Sequence, residues 1–344
     1  MMNGRIHLAG RWWSLRKDQL DRMEASCQEE WELEVVEVLS DWWSDRSMVS
    51  SKTSGSTGAP KEIMHHKKAM VESAERTIRW FNLTEKTAAS LVMPVRFIGG
   101  KMMLIRAIVG GWDLRIERPS RLPLVQIPCD FVAMTVAQAA ELIQENSASW
   151  SQLSTVLLGG SMAEPRWIQE MPSGPVVYES FGMTETISHF AIRQLKPHRE
   201  EFFQCLRGFK VRSVDEGALE VVFPDGKSLK TTDVVKLQSQ TSFQWLGRLD
   251  AVVNSGGIKI HPEQVEREMA HLIHAPFKAY GEPHVTWGSQ LVIRIHAAQP
   301  PRNAQQLEEQ WIAWAKQHLP PNHAPKRIEW KALRQTDSGK WLRP

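Results

Sequence analysis

An α/β chain is what this sequence predicts, with a large layered N-terminal domain that includes a small β subdomain, followed by a small α+β C-terminal domain. Three observations lead there. Over the first half, short apolar runs alternate with single amphipathic helical stripes, the pattern of a largely parallel sheet covered by helices. After Cys205 the texture changes to short β-like pieces, and after Arg248-Leu249-Asp250 to a mixed helix and strand set. The length, 344 residues, allows two or three cores at roughly 150 residues each.

The elements follow in order. Trp31, Val35, Leu39 and Trp42 share one helical face that ends before Ser44-Asp45. A second amphipathic helix is spelled by Met70, Ala74, Thr77, Ile78 and Phe81, and stops near Asn82. Then come a strand at 88–93, a helix at 100–109, strands at 114–117 and 131–135, a helix at 136–145, and strands at 155–158 and 176–178. Gly159-Gly160 and Phe181-Gly182 sit just past two of these strands, where ligands of such sheets gather. Strand-like pieces at 218–223, 234–237 and 243–246 form the β subdomain. With the boundary at Arg248-Leu249-Asp250, the N-terminal domain is 1–247 and the C-terminal domain 248–344. The latter has a helix at 262–269 opening on a proline, which the first helical turn tolerates. A strand at 291–295, a helix at 304–318 and a polar tail complete it.

Bulk properties exclude several classes. The net charge of +3 is too small to argue for nucleic acid. No apolar run approaches the roughly 18 residues that cross a membrane, and Met1-Met2-Asn3-Gly4-Arg5-Ile6-His7 lacks the apolar centre of a signal peptide. Cys27, Cys129 and Cys205 form no pair or metal spacing, which implies a reduced, cytoplasmic setting. Fifteen Trp against two Tyr is unusual, and large apolar packing accounts for it.

Thr53-Ser54-Gly55-Ser56-Thr57-Gly58-Ala59-Pro60-Lys61 is the most informative stretch. Its small hydroxyl residues and glycines offer little apolar surface and high backbone entropy, so they make a loop rather than a helix or strand. Its N–H groups and hydroxyls can wrap phosphate oxygens, with Lys61 as a point charge at the edge. The order is not that of a P-loop, which needs Gly-x-x-x-x-Gly-Lys-Ser/Thr. A plain Ser/Gly linker is disfavoured by the apolar segments close on both sides.

This loop resembles the phosphate-binding signature of the acyl-adenylate-forming (AMP-binding) enzymes, which include acyl- and aryl-CoA synthetases, luciferases and peptide-synthetase adenylation domains. Four further segments resemble that family in the right order. Tyr178-Glu179-Ser180-Phe181-Gly182-Met183-Thr184-Glu185-Thr186 is similar to its "YGMTE" segment, and Thr231-Thr232-Asp233 to its "TGD", with Thr where Gly is usual. Gly247-Arg248-Leu249-Asp250 through Ser255-Gly256-Gly257-Ile258-Lys259-Ile260 and Glu263-Gln264-Val265-Glu266 resembles its hinge motif. Thr336-Asp337-Ser338-Gly339-Lys340 resembles its C-terminal lysine motif.

The resemblance implies a layered adenylate-forming fold with a mobile C-terminal domain, and ATP, Mg2+, coenzyme A and a small acyl or aryl carboxylic acid as ligands. In that chemistry a carboxylate attacks the α-phosphate of ATP and expels diphosphate, so positioning and charge stabilisation dominate. The resemblance then implies roles by position. Thr53, Ser54, Gly55, Ser56, Thr57, Gly58 and Lys61 cradle the β- and γ-phosphates. Thr184 donates to the α-phosphate and Glu185 helps hold Mg2+, within the nucleotide segment Ser180, Phe181, Gly182 and Met183. Gly160 and Ser161 face adenine and the acyl group. Asp233 accepts from ribose hydroxyls and Arg248 adds a cation beside it. Lys340 neutralises the reacting carboxylate and α-phosphate. Asp250 is the hinge, and Gly256, Gly257 and Lys259 meet the thiol donor in the second half-reaction. A helix cap for Glu185, a surface ion pair for Asp233 and Arg248, and a tight turn for Gly256-Gly257 are the ordinary alternatives.

The loop begins at Thr53, where relatives carry a much longer preceding segment, so the usual N-terminal subdomain is expected to be reduced, which leaves room for a homodimer. Its shortness and Pro94-Val95-Arg96-Phe97-Ile98-Gly99-Gly100-Lys101-Met102-Met103 make the chain resemble shortened o-succinylbenzoate–CoA ligases of menaquinone biosynthesis. Such a substrate has two carboxylates of which one reacts, so the other needs an anchor. Arg96 or Lys101, beside Gly99, or the Ser188-His189 pair, are the expected anchors. A ligase for another aryl or fatty acid, an enzyme loading a carrier protein, and a non-catalytic nucleotide-binding module are the competing readings.

Overall fold

The structure is a computed structural model and describes residues 4–52, 61–335 and 341–344. The chain groups into two compact units, residues 1–163 with 171–207, and 164–170 with 208–344.

The first unit is built on one mixed sheet. Its centre is parallel: Arg5–Leu8, Asp113–Ile116, Ala88–Leu91, Cys129–Thr135, Leu153–Gly159 and Val176–Met183 lie side by side in that order. Antiparallel strands flank it, Arg11–Ser14 at one side and Ser188–Lys196 then Phe203–Cys205 at the other. The central strands are near-continuous apolar runs because helices cover both faces. Phe131, Val132, Val156, Leu158 and Val177 are fully buried, and so are Trp112 and Trp150, in keeping with a packing role for the tryptophans.

Several helices form where the sequence pattern places them. Val136–Glu145 starts at a reciprocal cap, Thr135 accepting from the Gln138 N–H while the Gln138 side chain accepts from the Thr135 N–H. Ile98–Gly110 is nearly all buried and ends on Gly111 at φ +67, a left-handed cap. Gly100 is required there: a Cβ would stand 2.3 Å from the Pro94 carbonyl oxygen.

Other elements differ from expectation. The strand expected at 176–178 runs on to Met183, because Tyr178 to Met183 pair antiparallel with Ser188–Lys196, a register set by long-range pairing. Phe181-Gly182 is therefore inside a strand rather than past its end. Met48–Lys52 and Glu62–His66 pair as an antiparallel ribbon bracketing the hydroxyl run, with Lys52 opposite Glu62. An N-terminal hairpin, Arg5–Leu8 with Arg11–Ser14, turns through Ala9 and Gly10 at φ +50 and +76, values that suit a tight primed turn.

The second unit holds two sheets. One is an antiparallel meander of Lys210–Val214, Ala218–Val222, Ser228–Ser239 and Ser242–Arg248. The other orders Ile258–Ile260, Val253–Ser255, Gly288–Ile295 and Phe277–His284, with Arg327–Trp330 parallel to Gly288–Ile295. That last strand lies in the tail expected to be irregular. Helices Pro262–Met269 and Ala304–His318 form at the expected bounds. Val265, Met269 and Ala315 pack with Ile293, Ile295 and Ile328 in this unit's core.

Candidate functional site

The C-terminal ends of the parallel strands carry the chemistry-bearing residues of the first unit. Glu179 is fully buried in Val176–Met183 and pairs with Arg193 of the next strand at 2.5 Å, while the Ala163 N–H donates to its other oxygen at 2.5 Å. This buried ion pair fixes the strand just before Ser180-Phe181-Gly182-Met183. Ser180 Oγ donates to the Leu158 carbonyl at 2.7 Å, so the hydroxyl ties two strands together. Phe181 packs edge-on against Phe190 and Phe203, a core contact.

Gly182 is dictated by a close approach. A Cβ there would lie 2.2 Å from the Ser188 carbonyl oxygen and 2.4 Å from His189 Cα, both backbone atoms. Gly182→Ala is expected to destabilise the unit by about 1–3 kcal/mol, as overpacking of a tight site does. A thermal melt unchanged from the parent would contradict it.

Beyond Met183 the chain makes a single 3-10 turn, Thr184–Thr186, then passes through Ile187 and Ser188 at φ +54 and +74. Two successive non-glycine residues in the left-handed region store strain. It is held by Thr186 Oγ1, which accepts from the Met183 N–H at 2.9 Å and lies 2.6 Å from the Ser188 carbonyl, and by Ser73 Oγ, which donates to the Ile187 carbonyl at 3.0 Å. The turn leaves Glu185 exposed and Thr184 buried. Gly160, at φ +83, and exposed Ser161 stand at the end of Leu153–Gly159, where Ser180 Oγ is 3.1 Å from a Cβ built on Gly159.

Residues Thr53, Ser54, Gly55, Ser56, Thr57 and Gly58, and Lys340, lie outside the described residues. Lys61 is exposed at the start of the return strand of the ribbon.

The expected substrate anchors fall apart into two groups. Arg96 pairs with Glu34 at 3.1 Å and is half exposed, and Lys101 donates to the Ser50 carbonyl, with burial lowering its pKa. Gly99 meets only the Met93 side chain, at 3.4 Å from a built Cβ. Ser188 and His189, in contrast, gather around a residue that sequence reasoning passed over, Arg106 on helix Ile98–Gly110. Arg106 Nη2 lies 3.2 Å from Ser188 Oγ and 3.4 Å from His189 Nδ1, and its Nε donates to Thr77 Oγ1 at 3.3 Å. His189 Nε2 is 3.1 Å from the same Thr77 oxygen. A neutral ring with the proton on Nε2 satisfies both nitrogens, and burial together with the Arg106 charge pushes the His189 pKa well below its usual value.

Arg106 itself is 1 % exposed. Burial pushes its pKa down to about 9, and no carboxylate among the described residues pairs with it. A buried guanidinium bonded only to neutral groups is an anion site in waiting. The signal was present in the sequence: one arginine inside Met102-Met103-Leu104-Ile105-Arg106-Ala107-Ile108-Val109, an otherwise apolar helical run.

In the second unit Asp233 is 9 % exposed, accepts from the Trp245 indole N–H at 2.9 Å, and lies opposite Arg248 in the strand register. Arg248 makes a two-pronged contact with Asp250 at 3.0 and 2.9 Å, which raises the arginine's pKa and lowers the carboxyl's. Gly256 and Gly257 take φ +59 and +83 between Ser255 and Ile258, and the Gly256 N–H donates to the Trp287 carbonyl at 2.9 Å. Lys259 pairs with Glu216 at 2.8 Å.

The described residues contain no cluster of metal-ligating side chains. A lone exposed carboxylate such as Glu185 nevertheless fits Mg2+, which binds through one or two carboxylates and the phosphates it accompanies.

The AMP-binding enzyme family matches residues 18–228, and the chain belongs to that family. The 2-succinylbenzoate–CoA ligase of Enterococcus faecalis is 26 % identical over 329 residues, covering 84 % of this chain and 66 % of that protein. The Bacillus subtilis enzyme of the same name is 24 % identical, over 74 % and 60 %. The chain thus spans about two thirds or less of these relatives' length. An acyl-CoA synthetase (AMP-forming)/AMP-acid ligase II-like protein of Dyadobacter fermentans superposes with a TM-score of 0.62 at 29 % identity, over 92 % of this chain and 93 % of that one. The Bacillus subtilis o-succinylbenzoate coenzyme A synthetase, solved with ATP and magnesium, gives a TM-score of 0.72 at 18 % identity, over 98 % and 82 %. The fold is the adenylate-forming one.

Proposed function

We propose that this chain is a cytoplasmic ATP-dependent acid–thiol ligase acting on 2-succinylbenzoate. A carboxylate oxygen of the acid bonds to the α-phosphorus of ATP as the bond to the β-phosphate oxygen breaks, releasing diphosphate. The thiolate of coenzyme A then attacks the acyl carbon and AMP leaves. The observation that carries the substrate is Arg106: a two-carboxylate acid brings a second anion that this buried cation lacks, while a monocarboxylic acid does not. The names of the relatives support the same choice.

The chain's own residues divide the work. The hydroxyl run 53–58 with Lys61 holds the β- and γ-phosphates, Thr184 donates to the α-phosphate, and Lys340 neutralises charge at the reacting centre. Mg2+ held by Glu185 and the phosphates would supply further neutralisation there. Asp233 takes the ribose, with Arg248 beside it. Asp250, whose carboxylate is bound by Arg248, is the hinge about which 248–344 turns, so that Gly256, Gly257 and Lys259 meet the thiol. Trp287, 40 % exposed and stacked on His284 at 4.1 Å beside that glycine turn, offers a flat apolar face suited to adenine.

The test is to incubate the protein with ATP, coenzyme A and, separately, 2-succinylbenzoate, benzoate, succinate and a medium-chain fatty acid, and to weigh the products. Only the first should give a thioester. A fatty acyl product in place of it would overturn the substrate, and no thioester or adenylate from any acid would overturn the enzyme. Lys340→Ala is expected to abolish acid-dependent exchange of diphosphate into ATP.

A further inference from the structure

The last described residues do not end in solvent. Arg343 Nη1 donates to Glu263 Oε1 at 2.6 Å, Nη2 to Glu266 Oε1 at 2.7 Å, and Nε to the Ala279 carbonyl at 2.6 Å. The two glutamates, three apart on helix Pro262–Met269, share a face, and Glu266 also binds the Ala279 N–H at 2.8 Å and Lys278 at 3.2 Å. One guanidinium thus joins the tail to a helix and to strand Phe277–His284. Its planar fork matches such a set of acceptors, which a lysine ammonium does not. Nearby, Gln335 pairs antiparallel with Trp341, the Leu342 N–H donates to the Arg334 carbonyl at 2.9 Å, and the Trp341 ring lies 4.6 Å from that of His296. The chain is therefore tied on both sides of 336–340. The receiving helix is set against the expected hinge too: Glu263 Oε2 stands 2.5 Å from a Cβ built on Gly247. A chain terminus ordinarily frays, and this one is clasped.

We propose that Arg343 is the positioning residue for Lys340, holding the segment that carries the lysine to the frame of the C-terminal domain through Glu263, Glu266 and the Ala279 carbonyl. The inference rests on the proposed role of Lys340 in adenylation. That role makes it separable from simple structural support, because only the first half-reaction uses the lysine.

The full chain and its Arg343→Gln, Arg343→Lys, Glu266→Gln and Lys340→Ala variants are compared in two assays. One is diphosphate exchange into ATP with 2-succinylbenzoate, and the other is thioester formation from prepared 2-succinylbenzoyl-adenylate and coenzyme A. Arg343→Gln is expected to slow exchange by about 10- to 100-fold while thioester formation stays within about twofold, since small misplacements of a reacting group cost that much. Arg343→Lys should recover part of the loss. Should Arg343→Gln fail to fold, Glu266→Gln gives the same split with smaller amplitude. Equal loss in both assays, or no loss of exchange, overturns the positioning role. Exchange that survives Lys340→Ala overturns the role of the lysine itself, whatever Arg343 does.

Discussion

Replacing Arg106 by leucine is expected to lower kcat/KM for 2-succinylbenzoate by about 30-fold or more and to leave the melting temperature unchanged or raised. The two halves have one cause. Arg106 is buried among Thr77, Ser188 and His189, none of which is an anion, so its charge is uncompensated without substrate. Removing such a cation relieves a desolvation penalty, and an apolar replacement of similar bulk is neutral or stabilising. With a second carboxylate bound, the same guanidinium makes a desolvated ion pair, and truncating one partner of such a pair costs about 2–5 kcal/mol. Steady-state kinetics with 2-succinylbenzoate and a matched monocarboxylic analogue, beside a thermal melt, separates these effects. Equal losses for both acids, or a large fall in melting temperature, would show that Arg106 supports the fold and not the substrate.

Arg193→Met should have the opposite signature, a loss of about 3–5 kcal/mol of stability in the first unit, because it leaves Glu179 as a buried charge without its cation. The side chains are 7 % and 0 % exposed, and Arg193 also donates to the Glu201 carbonyl at 3.1 Å and lies over Phe203 at 4.5 Å. Activity should fall with stability for every acid, since the pair anchors the strand that leads to Thr184 and Glu185. Adding Glu179→Leu to Arg193→Met should restore much of the stability, because the isolated charge is gone. Denaturant unfolding of the single and double variants checks the pair. A double variant as unstable as the single would mean that Ala163 and Phe203, not the charges, hold the strand.

What the sequence conveys depends on how local the cause is. Val136–Glu145 was legible because Thr135 and Gln138 spell its cap, and Pro262–Met269 because a proline opens an amphipathic turn. The central strands were legible as apolar runs. Val176–Met183 was shortened because glycine and serine argue against a strand locally, and only the Ser188 backbone across the pairing explains Gly182. The site divides the same way. Gly160, Glu185 and Asp233 came with recognisable motifs, whereas Arg106 belongs to none and lies on a helix remote in sequence from the residues it joins. Arg96 and Lys101 looked more accessible as anchors, yet their partners are Glu34 and the Ser50 carbonyl.

The indole of Trp245 holds the Asp233 carboxylate in one orientation before any sugar arrives. Freezing a side chain ordinarily opposes association, but here the torsional freedom is surrendered as the meander forms and not at each encounter. A nucleoside docking on this carboxylate would meet a receptor already set, and exchanging Trp245 for phenylalanine would return that disorder to the unliganded protein.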